Sequence, residues 1–496
     1  MTRSSGVLLH ISSLWGDHSE GGFGKAAFEW IDFLSVSGFT YWQVLPFCLP
    51  DKFNSPYSSY SAFSLNPFFI DLPDLFDRGL LTENELRAAR QKTPYSCEFD
   101  RMWQERLPLL SAAAERFEKA PSEERAGMDV FFKKHPHTAE FCRFMALKKA
   151  NAERPWQEWD TDVPDENEER LWRFSQYIFY IQWKKIKKYA NDRGVKIIGD
   201  VPIYVSADSA DVWAAPGQFC LDKDGHPSSV AGVPPDYFCA DGQLWGNPLY
   251  DWGTMRRDGY AWWRQRAGFM TELFDGMRID HFRGFESYFS IPAGEKTAKN
   301  GKWMRGPGME LVRAIREACG IGNDEDKTAD AADDEFLIIA EDLGDITDDV
   351  RRLVDESGFP GMRVLQFGFL GDASSPHLPH NYDSHCVAYT GTHDNNTLLG
   401  YVWEQSDDVR RRLMDYCGYS GGDWNACYDA VLRTMFASRA DLLILPVQDL
   451  LLYGSDTRLN TPGRSTGNWS YRVTKEQIGA LDAGKLRYRN ELYGRK

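Results

Sequence analysis

Three carboxylates close short apolar runs, two of them, Asp280 and Asp394, with a basic or imidazole side chain nearby. They are Asp280 in Arg278-Ile279-Asp280-His281-Phe282-Arg283-Gly284, Glu341 in Ala340-Glu341-Asp342-Leu343-Gly344, and Asp394 in Thr390-Gly391-Thr392-His393-Asp394-Asn395. A single Asp or Glu in such a place is most often a helix cap or half of a structural ion pair. Three together suit glycoside chemistry. There, an ionised carboxylate attacks the anomeric carbon and a protonated carboxyl gives the leaving oxygen its proton, the two standing roughly 5–5.5 Å apart in retaining enzymes. Arg278, two residues before Asp280, faces the same side of a strand and brings it a complementary charge.

Metal chemistry is the main rival for clustered Asp, Glu and His, with His281 and His393 as possible ligands. The chain has no HExxH, no CxxC and no EF-hand loop, so no metal or organic cofactor is expected. Gly21-Gly22-Phe23-Gly24-Lys25 is superficially similar to a phosphate loop. Ser19 and Ala26, however, stand where that loop needs Gly and Ser or Thr, and a turn is the better reading. G-x-S-x-G occurs at 418–422 and 463–467, but neither match follows an apolar strand-like run, so neither reads as a nucleophile elbow.

Carboxylates so far apart in sequence converge only if the fold brings strand ends together. Eight apolar or β-branched runs can do this. They are Val7-Leu8-Leu9-His10-Ile11, Thr40-Tyr41-Trp42-Gln43-Val44-Leu45, Lys196-Ile197-Ile198-Gly199-Asp200-Val201, Gly276-Met277-Arg278-Ile279-Asp280, Phe336-Leu337-Ile338-Ile339-Ala340-Glu341, Arg363-Val364-Leu365-Gln366-Phe367, Cys386-Val387-Ala388-Tyr389-Thr390 and Asp441-Leu442-Leu443-Ile444-Leu445. Buried parallel strands with helical crossovers read this way, and eight of them predict a single α/β domain over 1–496, a closed (β/α)8 TIM barrel. The carboxylates then sit on the C-terminal face, where barrel enzymes carry their chemistry.

Helical patterns fit between the runs. Leu171, Phe174, Ile178 and Ile181 have helical spacing, and Thr347 can cap a helix carrying Val350, Leu353 and Val354 that stops at Gly358 and Pro360. Residues 72–190 read as a helix-rich insertion between the second and third strands, with Thr82 and Glu85 at capping-box spacing. Residues 206–260, rich in Gly, Pro and aromatics, read as a loop insertion over the active face; 322–334 reads as an acidic surface loop. Tyr57, in Asn54-Ser55-Pro56-Tyr57, and Gln243 and Trp245, in Gln243-Leu244-Trp245-Gly246, lie on loops of that face. The Tyr57 and Trp245 rings could stack on sugars or simply pack the loops.

The composition fits a globular chain: 496 residues, 42% hydrophobic and 26% charged. The net charge of −16 disfavours nucleic acid and anionic lipid as partners. No apolar run is membrane-length, and the start lacks the apolar stretch of a secretory signal. Nine cysteines without a paired pattern suggest reduced thiols and a cytoplasmic location.

At these motifs the chain resembles the amylomaltases, the 4-α-glucanotransferases or disproportionating enzymes of the α-amylase clan. The resemblance runs from Ser5-Gly6-Val7 to Arg472. It rests on Ser55-Pro56-Tyr57, Gly199-Asp200-Val201-Pro202-Ile203-Tyr204-Val205, the 232–245 loop, the three carboxylate motifs, Asn460-Thr461-Pro462-Gly463 and Gly467-Asn468-Trp469. It implies a barrel without the C-terminal β-sandwich of amylases, no cofactor, and α-1,4-glucans and malto-oligosaccharides as partners. It further implies Asp280 as nucleophile, Glu341 as acid/base and Asp394 as transition-state stabiliser. Arg278 and His393 match residues around the sugar at the cleavage point, and Tyr57, Gln243 and Trp245 match groups lining the glucan cleft. The implied reaction is retaining, through a glucosyl-Asp280 intermediate, with the Glu341 carboxyl raised by burial and by the Asp280 and Asp394 charges. The alternatives are a hydrolase of the same clan and a non-catalytic glucan-binding protein, which would have no need of all three carboxylates.

Overall fold

The computed structural model describes residues 2–235, 240–322, 335–464 and 466–495. Eight parallel strands close a barrel: β1 (Ser4–Leu8), β2 (Tyr41–Gln43), β3 (Lys196–Val201), β6 (Gly276–Ile279), β9 (Leu337–Ala340), β10 (Gly361–Val364), β11 (Cys386–Tyr389) and β12 (Leu442–Pro446). Each pairs with its predecessor in this list, and β1 pairs with both β2 and β12. Side chains alternate as the pleat requires. Leu8, Ile198, Ile339, Val364, Val387 and Ile444 fill the barrel, while Val7, Ile197, Ile338 and Leu443 face the surrounding helices.

All eight predicted strands are present, and two of them, the first and the sixth, are shifted by two or more residues at both ends. The first begins at Ser4 because polar residues serve it: the Ser5 hydroxyl donates to Asn490 at 2.5 Å. Gly6 is needed there, since a Cβ would lie 2.5 Å from the Tyr41 carbonyl. The sixth begins at Gly361 and ends at Val364; Leu365–Gly368 is a helical turn. Asp342 sets this, accepting the Met362 N–H at 2.6 Å and pairing with Arg363 at 3.0 Å.

Between β2 and β3 run successive helices, the last of them Glu166–Asn191. Asp165 caps it, accepting from the N–H of Asn167 and of Glu168, and Leu171, Phe174, Ile178 and Trp183 form its buried face. Much of the aromatic content is spent here as core: Phe23, Phe47, Phe179 and Trp183 meet edge to face at 4.6–5.7 Å. The capping box at Thr82 and Glu85 is formed, and Thr347 caps the helix Asp348–Ser357, which Gly358 ends at φ 69°.

The 206–260 stretch differs from the aperiodic loop expected. It carries β4 (Ser229–Val233) and β5 (Gln243–Pro248), which join β7 (Ser287–Pro292) and β8 (Lys302–Arg305) in an antiparallel sheet ordered β5-β4-β7-β8. These strands are short, and β5 and β8 are largely exposed, so no apolar run marks them; β4 finds its second partner after the next barrel strand. The acidic stretch expected to be a surface loop, and Asp236-Tyr237 of the 232–245 motif, lie outside the described residues, apart from Gly322. Among the described residues no helix is long and apolar enough to cross a membrane.

Candidate active site

The parallel register sets the centre of the site. Asp200 on β3 lies opposite Arg278 on β6. Both point into the barrel, where the Asp200 side chain is 0% exposed. Arg278 Nη1 donates to both Asp200 oxygens at 2.9 and 2.8 Å, and Nη2 donates to Asp280 Oδ1 at 2.8 Å. Arg278 thus serves two carboxylates, Asp280 as the spacing predicts and Asp200 as a barrel-interior ion pair. A rigid fork is what such a junction needs. Burial opposes the Arg278 charge, but Asp200 and Asp280 outweigh it and hold the guanidinium well above its usual range.

Glu341 follows β9 and is 8% exposed. Oε2 accepts the N–H of His281 at 2.7 Å and Oε1 accepts that of Leu343 at 2.8 Å. His281 turns the chain for this at φ 50°, a left-handed conformation that L residues adopt only at a cost, of order 1–3 kcal/mol. Burial and the Asp280 charge raise the Glu341 carboxyl to about 7, against the lowering effects of Arg278 and the two N–H donors. Asp394, expected to add to this rise, is not among its five largest causes. The His281 ring, pushed down to about 4 by burial, is neutral at pH 7.

Asp394 lies in the 390–398 segment after β11. Its recess pushes the carboxyl up, but His393 at 3.2 Å and the Asn460 amide at 2.6 Å outweigh that and hold it well below the usual carboxylate range. Its side chain keeps 44% of its surface accessible at the barrel mouth, and that of Asp280 keeps 29%. Arg458 donates to the Asp394 carbonyl at 2.6 Å.

Tyr57 is a buttress. Its hydroxyl donates to Asp200 Oδ2 at 2.7 Å, and its ring stacks on His393 at 4.9 Å and 16°, with Trp469 5.8 Å away. Trp245, on β5, stands 5.0 Å from His281 at 83° and remains 37% exposed; its Nε1 donates to Gln243 Oε1 at 3.1 Å. The eight site residues read from sequence therefore meet in one linked constellation. Asp200, Asn460 and Trp469 were not singled out for a role. The Asp200 signal was present, an acid near the end of an apolar strand like that of Asp280; those of Asn460 and Trp469 are only their loop motifs. Among the described residues, no group of three or more His, Cys, Asp or Glu side chains could hold a metal ion.

The arrangement offers one carboxyl that carries a proton near neutrality, one carboxylate beside a fixed guanidinium, and a third that stays ionised. That is the equipment of acid-assisted displacement at an anomeric carbon. Comparison with known proteins agrees. A model of the 4-alpha-glucanotransferase family matches residues 9–477. A 4-alpha-glucanotransferase of Synechocystis is 41% identical, covering 100% of this chain and 98% of its own; that of Thermus thermophilus is 39% identical, with 98% of each covered. An amylomaltase from Streptococcus agalactiae, solved in complex with acarbose, superposes with a TM-score of 0.92 at 35% identity, with 99% of both chains covered. The amylomaltase of Corynebacterium glutamicum shares the fold, at a TM-score of 0.80 and 19% identity over 99% of this chain and 75% of its own. With its barrel matched end to end at such identity, the chain belongs to the 4-alpha-glucanotransferase family.

Proposed function

We propose that this protein moves segments of α-1,4-glucan from a donor chain to the 4-hydroxyl of an acceptor glucan or glucose. Asp280 attacks the anomeric carbon as the glycosidic C–O bond breaks, and Glu341 gives its proton to the departing 4-oxygen. The glucosyl ester on Asp280 is then attacked by the acceptor's 4-hydroxyl, whose proton passes to Glu341, and the anomeric configuration is retained. Asp394 binds sugar hydroxyls as the oxocarbenium character develops, with His393 beside it. Arg278 positions Asp280. Trp245 and Gln243 line the cleft on the wall supplied by 206–260. The thiols among the described residues are all free, which fits a reducing, cytoplasmic setting.

The observation that carries this reading is the division of labour among the carboxyls: Glu341 titrates at about 7 next to Arg278-paired Asp280, while Asp394 stays ionised. A glucan-binding protein has no use for that difference. The test is incubation with maltotriose alone and separation of the products. Glucose together with oligomers longer than maltotriose is the expected result. Glucose and maltose only would make the protein a hydrolase, and no conversion would overturn the enzymatic reading.

A further inference from the structure

A carboxylate outside this constellation grips the segment that carries Asp394. Asp449 lies in the helical turn Val447–Leu450, directly after β12, and is 0% exposed. Its Oδ2 accepts the Thr390 hydroxyl at 2.5 Å and its Oδ1 accepts the Leu398 N–H at 2.8 Å. Thr390 is the first residue after β11, and Leu398 opens the helix Leu398–Glu404. One side chain therefore fastens both ends of a loop whose middle holds His393 and Asp394.

The other fastenings act on the middle of the loop. Gln366 donates to the Asn396 carbonyl at 2.8 Å, and Arg458 and Asn460 hold Asp394 itself. Asp449 differs from them in chemistry as well. Among the described residues no Lys, Arg or His forms an ion pair with it, and the Tyr428 hydroxyl goes to its carbonyl, not its carboxylate. Burial pushes the Asp449 carboxyl up to about 6, against its two hydrogen bonds, so at neutral pH it is an ionised group without a counter-charge. Such a group costs stability, and a well-packed apolar residue would cost less. What the carboxylate provides is two strong acceptors at a fixed separation, aimed at donors from two elements. An amide of the same shape accepts from one and must turn its own N–H toward the other.

We propose that Asp449 is a positioning residue for the transfer reaction: by holding Thr390 and Leu398 together it fixes Asp394 where the sugar hydroxyls of the transition state meet it. The proposal rests on the role given to Asp394 above. Misplacing Asp394 weakens an interaction made chiefly in the transition state, which lowers kcat more than it raises KM. It acts on the sugar ring, not on the leaving oxygen, so a donor that needs no proton cannot repair it.

The test uses the full chain with two donors, maltotriose and α-maltosyl fluoride, in Asp449→Asn and Thr390→Val. The unmodified protein must first disproportionate maltotriose; if it does not, the proposed function fails, and that failure is separate from this one. Both variants should keep the far-UV spectrum and stay folded at the assay temperature. We expect kcat to fall about tenfold or more in Asp449→Asn and a few-fold in Thr390→Val, by the same factor for both donors, with KM within about twofold. Should Asp449→Asn not fold, Thr390→Val, which leaves the carboxylate in place, decides by the same criteria. Unchanged kcat, a change in KM alone, or recovery with the fluoride donor overturns the proposal; recovery would point to Glu341 as the group disturbed.

Discussion

Glu341 Oε2 hangs from the backbone N–H of His281 at 2.7 Å, so the carboxyl that titrates near neutrality is tied to the residue immediately after Asp280. Their spacing is set by main chain, through a left-handed turn at His281, and not by two free rotamers. A pair proposed to act on opposite ends of one breaking bond benefits from that, because small displacements cost large factors in rate.

The first prediction concerns pH. In the proposed reaction Glu341 must carry its proton at the start, and its carboxyl is raised to about 7. With maltotriose, kcat/KM should be held at lower pH and fall about tenfold per unit above pH 7. With α-maltosyl fluoride as donor the glycosylation step should lose this alkaline limb, and in Glu341→Gln activity on maltotriose should fall by about 10²–10⁴ while the fluoride remains a substrate. An identical limb for both donors would remove Glu341 from the acid role. The same shift carries a stability sign. The folded state binds this proton more tightly than the unfolded chain, so the contribution is complete below the unfolded glutamate value and is lost as pH rises through about 7.

The second concerns Arg278. Removing it leaves Asp200, 0% exposed at its side chain, without its cation. Arg278→Met should destabilise the fold by about 3–5 kcal/mol, the range for breaking a buried pair. The loss should be smaller at pH 5 than at pH 8, because an unpaired buried carboxyl takes up a proton. Denaturant unfolding at the two pH values measures it. Equal losses at both would mean that Asp200 is not the group left exposed to the penalty.

The third is covalent. Asp280→Asn keeps the shape and removes the nucleophile, so glucan transfer should vanish while the thermal midpoint stays near that of the unmodified protein. A slow 5-fluoro glucosyl donor should leave its label on the peptide containing Asp280. Label on Glu341 or Asp394 would reverse the assignments.

The three carboxyls of the site are legible because barrel chemistry concentrates at strand ends, where an acid after an apolar run is conspicuous in sequence. The barrel was legible for the same reason, since strands buried on both faces leave continuous apolar runs. Other features were not. Asp200 reads as one more strand-end acid until the register sets it opposite Arg278. Asn460 and Trp469 owe their places to a loop that reaches across from beyond β12, and no periodicity records where a loop lands. The β5-β4-β7-β8 sheet escaped because its pairings join segments on both sides of β6 and its edge strands are exposed.

The last prediction concerns the choice between sugar and water as acceptor. In the proposed reaction both attack the same glucosyl-Asp280, so the carboxyls cannot decide it. Water stands at ~55 M, and a bound sugar must compete through orientation, for which effective molarities of roughly 10⁵ M or more are attainable. The two loop rings considered from sequence differ in the structure. Tyr57 is committed, its hydroxyl on Asp200 and its ring on His393, so Tyr57→Ala should lower transfer and hydrolysis together. Trp245 is 37% exposed beside His281, which follows Asp280 in sequence, and in the proposed reaction its ring holds a sugar. Losing that ring should weaken acceptor binding by about 1–3 kcal/mol, the worth of a buried side chain. At 1.4 kcal/mol per tenfold, Trp245→Ala should cut transfer by about 5- to 140-fold while hydrolysis falls far less. Measuring new reducing ends and chain-length redistribution in the same reactions gives both rates. If Trp245→Ala lowers both by one factor, the ring serves the donor and not the acceptor, and the preference for transfer must come from another part of the cleft.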